Sequence, residues 1–577
     1  MTTIADTIVE TIHAAGVERV YGIPGDSLNG FTDALRRYGK VAWQHVRHEE
    51  AAAFAASGEA AITGELAVCA GSCGPGNLHL INGLYEANRS RVPVLAIAAH
   101  IPISEIGTNY FQETHPQELF RECSVYCEMV SDPSQMPRML EIAMRTAVER
   151  RGVAVLVIPG ELFLESSKGR RSTTPIRTLP RVARPTDAQL SEAASILDSA
   201  EKVTILAGAG VAGAHAQLLE LAERLQAPIV HALRGKEFVE YDNPYDVGMT
   251  GLLGFSSGYR AIESCDALLM LGTDFPYPQF YPSKAKVIQL DIRGEQLGRR
   301  TPVDLGLVGS VADTIPALLP LLGERKSSRH LERSLKHYAS TRKELDELAV
   351  DDRGRTPIHP EYVAKLVSEL AADDAVFLPD VGSPVVWAAR YLRMNGRRRL
   401  VGSFSHGSMA NALSQAVGVQ SAAPGRQVVA LAGDGGLAML LGELLTLRQN
   451  KLPVKVVVFD NSSLNFVEVE MKAAGFVNYG TELDNPDLAA VAAAVGLFAR
   501  RVEKLGDLEG ALRDAFAHDG PALVNVVTAR QELSIPPTIT AEQVKGFTLY
   551  ALRTVMSGRG TELIDLADTN VFRRLFS

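Results

Sequence analysis

The sequence is poor in several residue types and patterns, and each shortage excludes a class of protein. Five cysteines among 577 residues are too few for a disulfide framework, so a reducing compartment is favoured. The formal net charge of −9 gives no electrostatic support for nucleic-acid binding. No apolar run approaches the ~18 residues of a membrane span, and the N-terminal segment MTTIADTIVE lacks the basic region of a signal peptide. We therefore expect a cytoplasmic globular protein that does not bind nucleic acid.

Four of the five cysteines form two pairs with C-x3-C spacing, Cys69 with Cys73 and Cys123 with Cys127. Thiolates bind zinc, so a zinc site is conceivable. However, the spacing is not C-x2-C, and the sequence around the pairs is apolar or mixed. Buried structural thiols explain the pattern better.

Short apolar, β-branched runs alternate with helical patterns along most of the chain. Continuous apolar strands separated by helices are typical of parallel sheets covered on both faces, so we predict an α/β fold with three doubly wound parallel-sheet domains. The polar stretches 165–187 and 323–344 interrupt the pattern and are interpreted as linkers or surface helices. The predicted domains and connections are 1–165, a linker at 166–186, 187–325, a linker or surface helix at 326–355, 356–530, and a C-terminal segment at 531–577.

One predicted strand ends on a carboxylate, because VVALAGDGGLAML (428–440) places Asp434 between two glycines. Ligands bind at the carboxyl ends of parallel strands, where helix N-termini favour phosphate groups. A carboxylate repels a phosphate unless a cation lies between them, so Asp434 predicts a hard divalent ion such as Mg²⁺. The next strand ends at Asn461, which would supply a second ligand, and the Ser463 carbonyl would supply a third. Alone, Asp434 would be equally well explained as a helix cap.

The motif GDG, followed one helix and one strand later by an asparagine, resembles the signature of thiamine diphosphate enzymes. The family usually has two adjacent asparagines, whereas this chain has Asp460 before Asn461. The resemblance implies a pyrimidine-binding domain at 1–165, a central domain at 187–325 and a Mg²⁺- and diphosphate-binding domain at 356–530. It also implies a homo-oligomer, commonly a tetramer, because the cofactor lies between domains of two subunits.

The carboxylic acid that thiamine catalysis requires is implied to be Glu49, which follows His48 in the motif R-H-E. In the family this acid lies against N1′ of the aminopyrimidine and promotes loss of the C2 proton. A glutamate that opens a helix is otherwise an ordinary N-terminal charge. The resemblance also places His79 and Gln112 near the substrate and Phe111 in the pocket lining, with His48 as a structural residue.

Two further segments resemble the family's cofactor contacts. In FSHGSMANAL (404–413), Met409 would force the bent cofactor conformation, although a methionine in an apolar run is more often core packing. NSSLNFVEVEMKA (461–473) would form the substrate-side loop, with Phe466 between thiamine and flavin and Glu470 handling protons. Asn465 replaces a common glycine, which would stiffen this loop. The implied thiamine diphosphate contacts are Glu49, Gly407, Ser408, Met409, Asp434, Gly435, Gly436, Asn461, Ser462, Ser463, Leu464, Asn465, Phe466 and Val467; the implied catalytic residues are Glu49, His79, Phe111, Gln112, Phe466, Val467 and Glu470.

The middle unit contains G-x-G-x-x-G at Gly208, Gly210 and Gly213, which alone is a weak dinucleotide signal. No acidic residue ends the following strand, so NAD is disfavoured. The unit instead resembles the flavin-binding domain of the pyruvate oxidase branch, and Arg234 would meet the FAD diphosphate because arginine pairs well with phosphate. The implied FAD contacts are Arg234, Thr250, Gly251, Leu252, Leu253, Thr273, Asp274, Phe275, Pro276, Tyr277 and Asp291.

Nearly the whole chain resembles the quinone-dependent pyruvate dehydrogenase (pyruvate oxidase) branch of the family. That resemblance implies oxidative decarboxylation of pyruvate to acetate and CO₂, with electrons passing to FAD and then to a membrane quinone, ubiquinone or menaquinone. Acetolactate synthase and phosphate-dependent pyruvate oxidase are the alternative enzymes. A catalytically silent membrane-associated scaffold is the alternative outside enzymes.

The C-terminal segment SGRGTELIDLADTNVFRRLFS has an amphipathic pattern after a glycine-rich hinge at 557–560. Phe572 and Phe576 lie off the apolar stripe, and Arg573 and Arg574 would meet anionic lipid headgroups. An ordinary docked terminal helix is the simpler alternative. With the family resemblance, we predict peripheral attachment to the inner face of the cell membrane. The apolar stripe itself consists of Ile564, Ala567, Val571 and Leu575.

Overall fold

The computed structural model of the chain describes residues 2–167, 176–177, 182–324, 327–350, 357–530, 532, 541–556, 563 and 566. Within these residues the chain forms three six-stranded sheets, and every pair of neighbouring strands is parallel. The predicted α/β class with three doubly wound sheets is therefore confirmed. The predicted C-terminal stripe falls almost entirely outside the described residues.

The strands divide evenly among the three sheets. The first sheet contains β1 (Arg19–Gly22), β2 (Ala42–His45), β3 (Ala67–Gly71), β4 (Val94–His100), β5 (Tyr126–Met129) and β6 (Val153–Pro159). The second contains β7 (Val203–Ala207), β8 (Ile229–His231), β9 (Asp246–Met249), β10 (Ala267–Leu271), β11 (Lys286–Asp291) and β12 (Leu305–Val308). The third contains β13 (Val376–Pro379), β14 (Arg399–Leu400), β15 (Val428–Gly433), β16 (Lys455–Asp460), β17 (Phe498–Val502) and β18 (Ala522–Val527).

The helices follow the same division. The first unit has α1 (Ile4–Ala14), α2 (Asn29–Tyr38), α3 (Glu49–Thr63), α4 (Pro75–Ser90), α5 (Pro116–Leu119) and α6 (Met136–Arg150). The middle unit has α7 (Asp187–Ser199), α8 (His215–Leu225), α9 (Lys236–Val239), α10 (Ser256–Glu263) and α11 (Val311–Leu318), and α12 (Arg329–Leu348) follows it. The third unit has α13 (Pro360–Leu370), α14 (Ser383–Tyr391), α15 (Asn411–Ala422), α16 (Asp434–Met439), α17 (Glu443–Gln449), α18 (Asn465–Ala473), α19 (Leu488–Ala494) and α20 (Leu505–Ala517), and α21 (Ala541–Met556) ends the series.

The strand orders show that the first and third units share one topology. Their orders are β2-β1-β3-β4-β6-β5 and β14-β13-β15-β16-β18-β17, which coincide when strands are counted from the start of each unit. The middle sheet has the order β9-β8-β7-β10-β11-β12, the 3-2-1-4-5-6 arrangement of dinucleotide-binding folds. In such sheets ligands bind where the order reverses, so the loops after β7 and β10 mark the expected ligand crevice of the middle unit.

The first and third units are joined by a close crossing of α3 and α15. A Cβ on Gly418 would lie 1.8 Å from the carbonyl oxygen of Ala55, and one on Gly58 would lie 2.4 Å from that of Gln415. Only glycine lets the two backbones approach this closely. A single cluster of buried apolar side chains, including Val46 of the first unit, extends from one sheet to the other across this crossing.

The cysteines are free thiols, and all except the half-buried Cys127 are buried. Burial raises the pKa of Cys69, Cys123 and Cys127 to about 12, so these thiols stay protonated. These observations agree with the interpretation of the cysteines as structural. Among the described residues, no helix is long and apolar enough to cross a membrane.

Candidate cofactor site

The predicted metal ligands lie at the carboxyl edge of the third sheet. Strand β15 ends at Gly433, and Asp434 is the first residue of α16, with 3% of its surface exposed. Asp460, the last residue of β16, is buried beside it. The side-chain amide of Asn485 donates to both carboxylates, at 2.8 Å from Asp434 Oδ2 and 3.1 Å from Asp460 Oδ1. Burial and the neighbouring Asp460 charge raise the pKa of Asp434.

The loop after β16 brings the other two predicted ligands to the same edge. The Oδ1 atom of Asn461 accepts a hydrogen bond from the Ser463 backbone amide at 3.1 Å, and Ser462 between them has a positive φ of 53°. This tight turn presents polar oxygens next to the carboxylates. Two adjacent buried carboxylates with amide and carbonyl oxygens nearby form the hard oxygen donor set that suits Mg²⁺.

Glycine is required where α16 begins. A Cβ on Gly435 would lie 2.8 Å from Leu464 and 3.5 Å from the Cε atom of Met409. Met409, which was predicted to bend the cofactor, therefore lies next to the start of α16. A Cβ on Gly436 would lie 1.8 Å from Oδ2 of Asp380. The two glycines therefore let the start of α16 pack directly against Leu464 and Asp380, and any side chain there would clash.

Asp380 is a site residue that the sequence analysis did not single out. It follows β13, is 1% exposed and accepts hydrogen bonds from the backbone amides of Val381 and Asn411. Burial raises its pKa to about 7. Asp380 ends a strand of the same sheet as Asp434, so the strand-end argument used for Asp434 would have found it.

Glu49 is the first residue of α3 and is 7% exposed. Its Oε2 atom lies 2.9 Å from Nδ1 of His79, and the His79 ring stacks on His48 with centroids 4.3 Å apart. His48 is the N-cap of α3, because its side chain accepts a hydrogen bond from the Glu50 amide. The structure thus brings Glu49 and His79 together and gives His48 a structural task.

The segment that carries Met409 is linked to the first turn of α3 through Asn82 of α4. The amide nitrogen of Asn82 donates to Oε1 of Glu50 at 2.6 Å and to Oγ of Ser408 at 2.8 Å. Its carbonyl oxygen lies 2.8 Å from Nε2 of His406. Helix α3 of the first unit and the loop before α15 of the third unit therefore meet through one side chain.

The predicted substrate-side residues lie on two open surfaces of the single chain. Gln112 has a positive φ of 63°, and its Oε1 atom accepts from the thiol of Cys73 at 3.2 Å. Phe111 beside it is 77% exposed. On α18, Phe466 is half-buried, Val467 is 41% exposed, and Glu470 is exposed.

The loops at the reversal point of the middle sheet pack tightly on each other. A Cβ on Gly208 would lie 2.5 Å from Thr273, and one on Gly210 would lie 2.6 Å from the Cα of Gly272. These glycines of the G-x-G-x-x-G motif therefore serve loop packing after β7 and β10. Thr250 Oγ1 is buried without a hydrogen-bond partner among the described residues, which leaves a polar atom for a ligand in this unit.

Three arginines cluster near these loops. Arg234 is half-buried and donates to Ser405 Oγ at 3.2 Å and to the Ser90 carbonyl at 3.0 Å, so it touches all three units. Arg91 reaches Asp274 at 3.5 Å. Burial and the neighbouring charge of Arg293 lower the pKa of Arg91 to about 10. Such a cluster fits the diphosphate of a dinucleotide.

The other predicted flavin contacts have different surroundings. Leu253 packs into the core of the third unit, and its carbonyl accepts a hydrogen bond from Nε of Arg390 at 3.1 Å. It therefore links the middle unit to the third unit. Phe275 is buried among aromatic rings. Asp291 ends β11, and burial raises its pKa. The remaining predicted contacts Thr273, Asp274 and Gly251 are buried or half-buried, whereas Leu252, Pro276 and Tyr277 are exposed.

Comparison with known proteins decides the family. Three models of thiamine pyrophosphate enzymes match the chain: the N-terminal TPP-binding domain at 2–119, the central domain at 190–318 and the C-terminal TPP-binding domain at 380–526. Thiamine pyrophosphate is another name for thiamine diphosphate. The chain belongs to the thiamine diphosphate enzyme family.

Individual members of the thiamine diphosphate family are similar along most of their length. YdaP of Bacillus subtilis (strain 168), which is named as a thiamine pyrophosphate-containing protein, is 36% identical over 100% of this chain and 99% of its own. The pyruvate oxidase of Lactiplantibacillus plantarum is 29% identical, covering 90% of this chain and 87% of its own. The acetolactate synthase isozyme 2 large subunit of Escherichia coli is 31% identical, covering 90% and 95%. Similarity at this level establishes a thiamine diphosphate enzyme and leaves its reaction to be inferred from the site.

Proposed function

We propose that this thiamine diphosphate enzyme oxidatively decarboxylates pyruvate to acetate and CO₂ and passes the electrons through FAD to a membrane quinone. The observation that carries the proposal is the contact between the middle unit and the third unit. Arg234 bonds Ser405, four residues before Met409, and Leu253 packs against the same apolar core as Phe466. A flavin held by the middle unit would therefore lie close to a thiamine diphosphate held by the third.

The strand order of the middle sheet supports a bound dinucleotide. Its reversal point lies between β7 and β10, and Arg234, Arg293 and the Thr250 hydroxyl supply polar groups in the same unit, to which Arg91 adds one from the first unit. The basic groups would hold the FAD diphosphate, and Asp291 at the end of β11 would accept hydrogen bonds from the nucleotide. When bound, FAD would supply the acceptor for the two electrons released by oxidation of the pyruvate carbon chain.

The chain's own groups can perform the remaining tasks. Asp434, Asn461 and Ser463 would hold Mg²⁺ and thereby the cofactor diphosphate. Glu49 would place its carboxylic acid against the aminopyrimidine, where it can exchange a proton. Thiamine diphosphate, when bound, supplies the electron sink for the loss of CO₂.

Residues near the pyruvate have a second set of tasks. The Oε1 atom of Gln112 is occupied by the Cys73 thiol, so its amide N–H groups are directed elsewhere and can donate to the pyruvate carboxylate. Val467 and Phe466 would exclude water from this space. Glu470 would donate or accept a proton as acetate forms.

We also propose that the enzyme is a homo-oligomer, commonly a tetramer, in which a second copy completes the site. Large apolar side chains are exposed on the pyrimidine-binding unit around Phe111 and on the diphosphate-binding unit around Val467. Phe476 and Tyr479, which are 58% and 89% exposed, extend the second surface. In this proposal, a second copy covers these exposed apolar side chains.

The membrane part of the proposal depends on the C-terminal segment. In this proposal the segment binds anionic lipid at the inner face of the cell membrane and brings the reduced flavin close to the quinone. Helix α21, which precedes it, packs on α18: Arg553 donates to the Gly475 carbonyl at 2.6 Å. The route from the active-site helix to the C-terminal segment is therefore short.

The products distinguish this reaction from its alternatives. Purified enzyme with thiamine diphosphate, Mg²⁺ and FAD would be incubated with pyruvate, inorganic phosphate and a soluble quinone, and the products would be quantified by NMR. The proposal predicts acetate and CO₂ in equal amounts and one quinone reduced per acetate. Acetolactate as the main product would establish an acetolactate synthase, acetyl phosphate a phosphate-dependent oxidase, and no turnover a silent scaffold.

A further inference from the structure

A fully buried carboxylate lies on the inner face of α18. Glu468 has 0% of its surface exposed and is surrounded by donors. Its oxygens accept from side chains of Ser463 at 2.6 Å, Thr481 at 2.9 Å, Arg530 at 3.0 Å and Asn478 at 3.1 Å. Lys472, also fully buried, lies 3.5 Å away. A buried charge with this many donors is well satisfied and fixed in one orientation.

These donors come from three separate segments of the diphosphate-binding unit. Ser463 belongs to the loop after β16 that carries the predicted metal ligands. Thr481 and Asn478 belong to the strand-like segment after α18, which also pairs with that loop through the Leu464 amide and the Thr481 carbonyl at 2.8 Å. Arg530 lies just after β18. Glu468 therefore joins the metal-ligand loop to two neighbouring segments through one side chain.

Arg530 is held from two sides. Its guanidinium bonds Glu468, and its carbonyl accepts from the side-chain amide of Asn465 at 2.6 Å. The carbonyl oxygen of that amide accepts from Ser383 Oγ at 3.0 Å. Asn465, which the sequence suggested would stiffen the loop, thus bonds two other segments directly. Asn465 and Glu468, the first and last residues of the first turn of α18, therefore both hydrogen-bond to Arg530.

The anchored face of α18 is opposite its reactive face. Glu468 and Lys472 point into the protein, whereas Val467 and Glu470 are exposed on the other side of the helix. Rotation of α18 would move the reactive residues and the loop together. The hydrogen bonds of Glu468 oppose such a rotation, because each would leave a buried polar group without its partner.

We propose that Glu468 is a positioning residue: with Arg530 it fixes the loop 461–465 in the geometry that binds Mg²⁺ and the cofactor diphosphate. The alternative is that Glu468 and Arg530 form a buried ion pair that stabilises the fold and has no effect on the cofactor site. The inference rests on the proposed metal ligands Asn461 and Ser463 and is independent of which substrate is decarboxylated. Residues that hydrogen-bond to metal ligands and orient them typically contribute about 10–100-fold to the affinity for the metal.

The test compares Glu468→Gln with Glu482→Gln. Glutamine keeps the size of Glu468 and loses its charge, and Glu482 is a matched control because it bonds the same Arg530 at 3.2 Å but exposes 66% of its side chain. Calorimetry with thiamine diphosphate at saturating Mg²⁺ should show a Kd raised about 10–100-fold by the first change and unchanged by the second. Hydrogen exchange of the apo-protein should accelerate in 461–483 for Glu468→Gln and stay normal in the first unit.

Arg530→Gln tests the same hydrogen bond from its other partner and replaces Glu468→Gln if that variant does not fold. An unchanged Kd in the folded variant, with a lowered Tm, would overturn the proposal in favour of plain stabilisation. Asp434→Ala, measured in parallel, separates the two ideas: if it leaves the Kd unchanged while Glu468→Gln raises it, Asp434 is not a ligand, and the role of Glu468 in positioning the loop 461–465 stands.

Discussion

Two carboxylates, Glu49 and Asp434, stand at the first position of a helix, and the chain uses each for a different purpose. Exposed backbone amides at a helix N-terminus stabilise negative charge, so both groups can remain buried. Asp434 lies beside a second carboxylate, Asp460, and the Asn485 amide donates to both; a divalent cation would further offset the repulsion between them. Glu49 is paired with His79, 2.9 Å away, in the pyrimidine-binding unit. In the proposed function, the first arrangement would hold a metal and the second would handle a proton.

Glu49→Gln should keep both cofactors bound but lose flavin reduction by pyruvate. Glutamine fits the same space and cannot supply the carboxylic acid, and acid–base groups of this kind contribute about 10²–10⁴-fold. Rapid-mixing absorbance of the flavin under anaerobic conditions measures the effect. Reduction at a near-normal rate in this variant would show that another residue acts on the aminopyrimidine.

Asp434→Ala should lose Mg²⁺-dependent binding of thiamine diphosphate while FAD stays bound. The two cofactors would occupy different units, so a change at the end of β15 should not reach the flavin. We expect the thiamine diphosphate Kd to rise by about tenfold or more, measured by calorimetry with and without Mg²⁺. Equal affinity for variant and parent, or simultaneous loss of FAD, would contradict the metal assignment.

At the scale of elements, sequence patterns located the long, continuously apolar strands and missed shorter ones such as β2 and β14. The apolar runs at 454–461 and 522–529 correspond to β16 (Lys455–Asp460) and β18 (Ala522–Val527), since buried parallel strands are apolar throughout. The ends of such strands could be located from the same runs, and Asp434 and Asn461 were predicted as site residues from those ends. Contacts between residues that are distant in the sequence could not be predicted from such patterns. Arg91 joins the arginine cluster from the pyrimidine-binding unit only because the units pack together.

The crossing of α3 and α15 is the element contact most sensitive to a single methyl group. Gly418→Ala would place a Cβ against the Ala55 carbonyl, and relief of such a clash costs about 1–3 kcal/mol or more. We expect a lower Tm and weaker cofactor binding, because the crossing holds the two cofactor-binding units together.

The control for this change is Gly510→Ala in α20, where an added Cβ meets nothing within 4 Å. Alanine is favoured over glycine inside a helix by about 0.5–1 kcal/mol, so this variant should be as stable as the parent or more so. Calorimetric Tm values for both variants test the account. Equal stability of the two would mean that the crossing tolerates a side chain.

At the scale of the whole molecule, two units of one topology carry the candidate thiamine diphosphate residues, and a third unit of dinucleotide-binding order packs beside them. Sequence predicted the three units because strand and helix patterns repeat along the chain. It could not show that the first and third share a strand order, since order depends on which strands pair across long distances. The same limit applies to Glu468, whose partners are up to 62 residues away along the chain.

Deleting residues 558–577 should spare pyruvate-driven reduction of a soluble dye but abolish stimulation by lipid and quinone reduction in vesicles. Each large apolar side chain contributes about 1.5–3 kcal/mol when fully buried, and several segments on one oligomer would add avidity. None of the predicted cofactor contacts lies within the deleted residues, so we expect both cofactors to stay bound. Flotation with anionic vesicles, with and without pyruvate, measures the binding. Equal flotation of parent and truncated enzyme would remove the membrane role.

The central claim is that electrons from pyruvate reach a flavin in the middle unit. The most direct test adds pyruvate to the enzyme loaded with thiamine diphosphate, Mg²⁺ and FAD, without oxygen or quinone, and follows the visible absorbance of the flavin. The account predicts complete bleaching within one turnover, with one acetate formed per flavin. An unchanged flavin spectrum while pyruvate is consumed and acetolactate accumulates would contradict it.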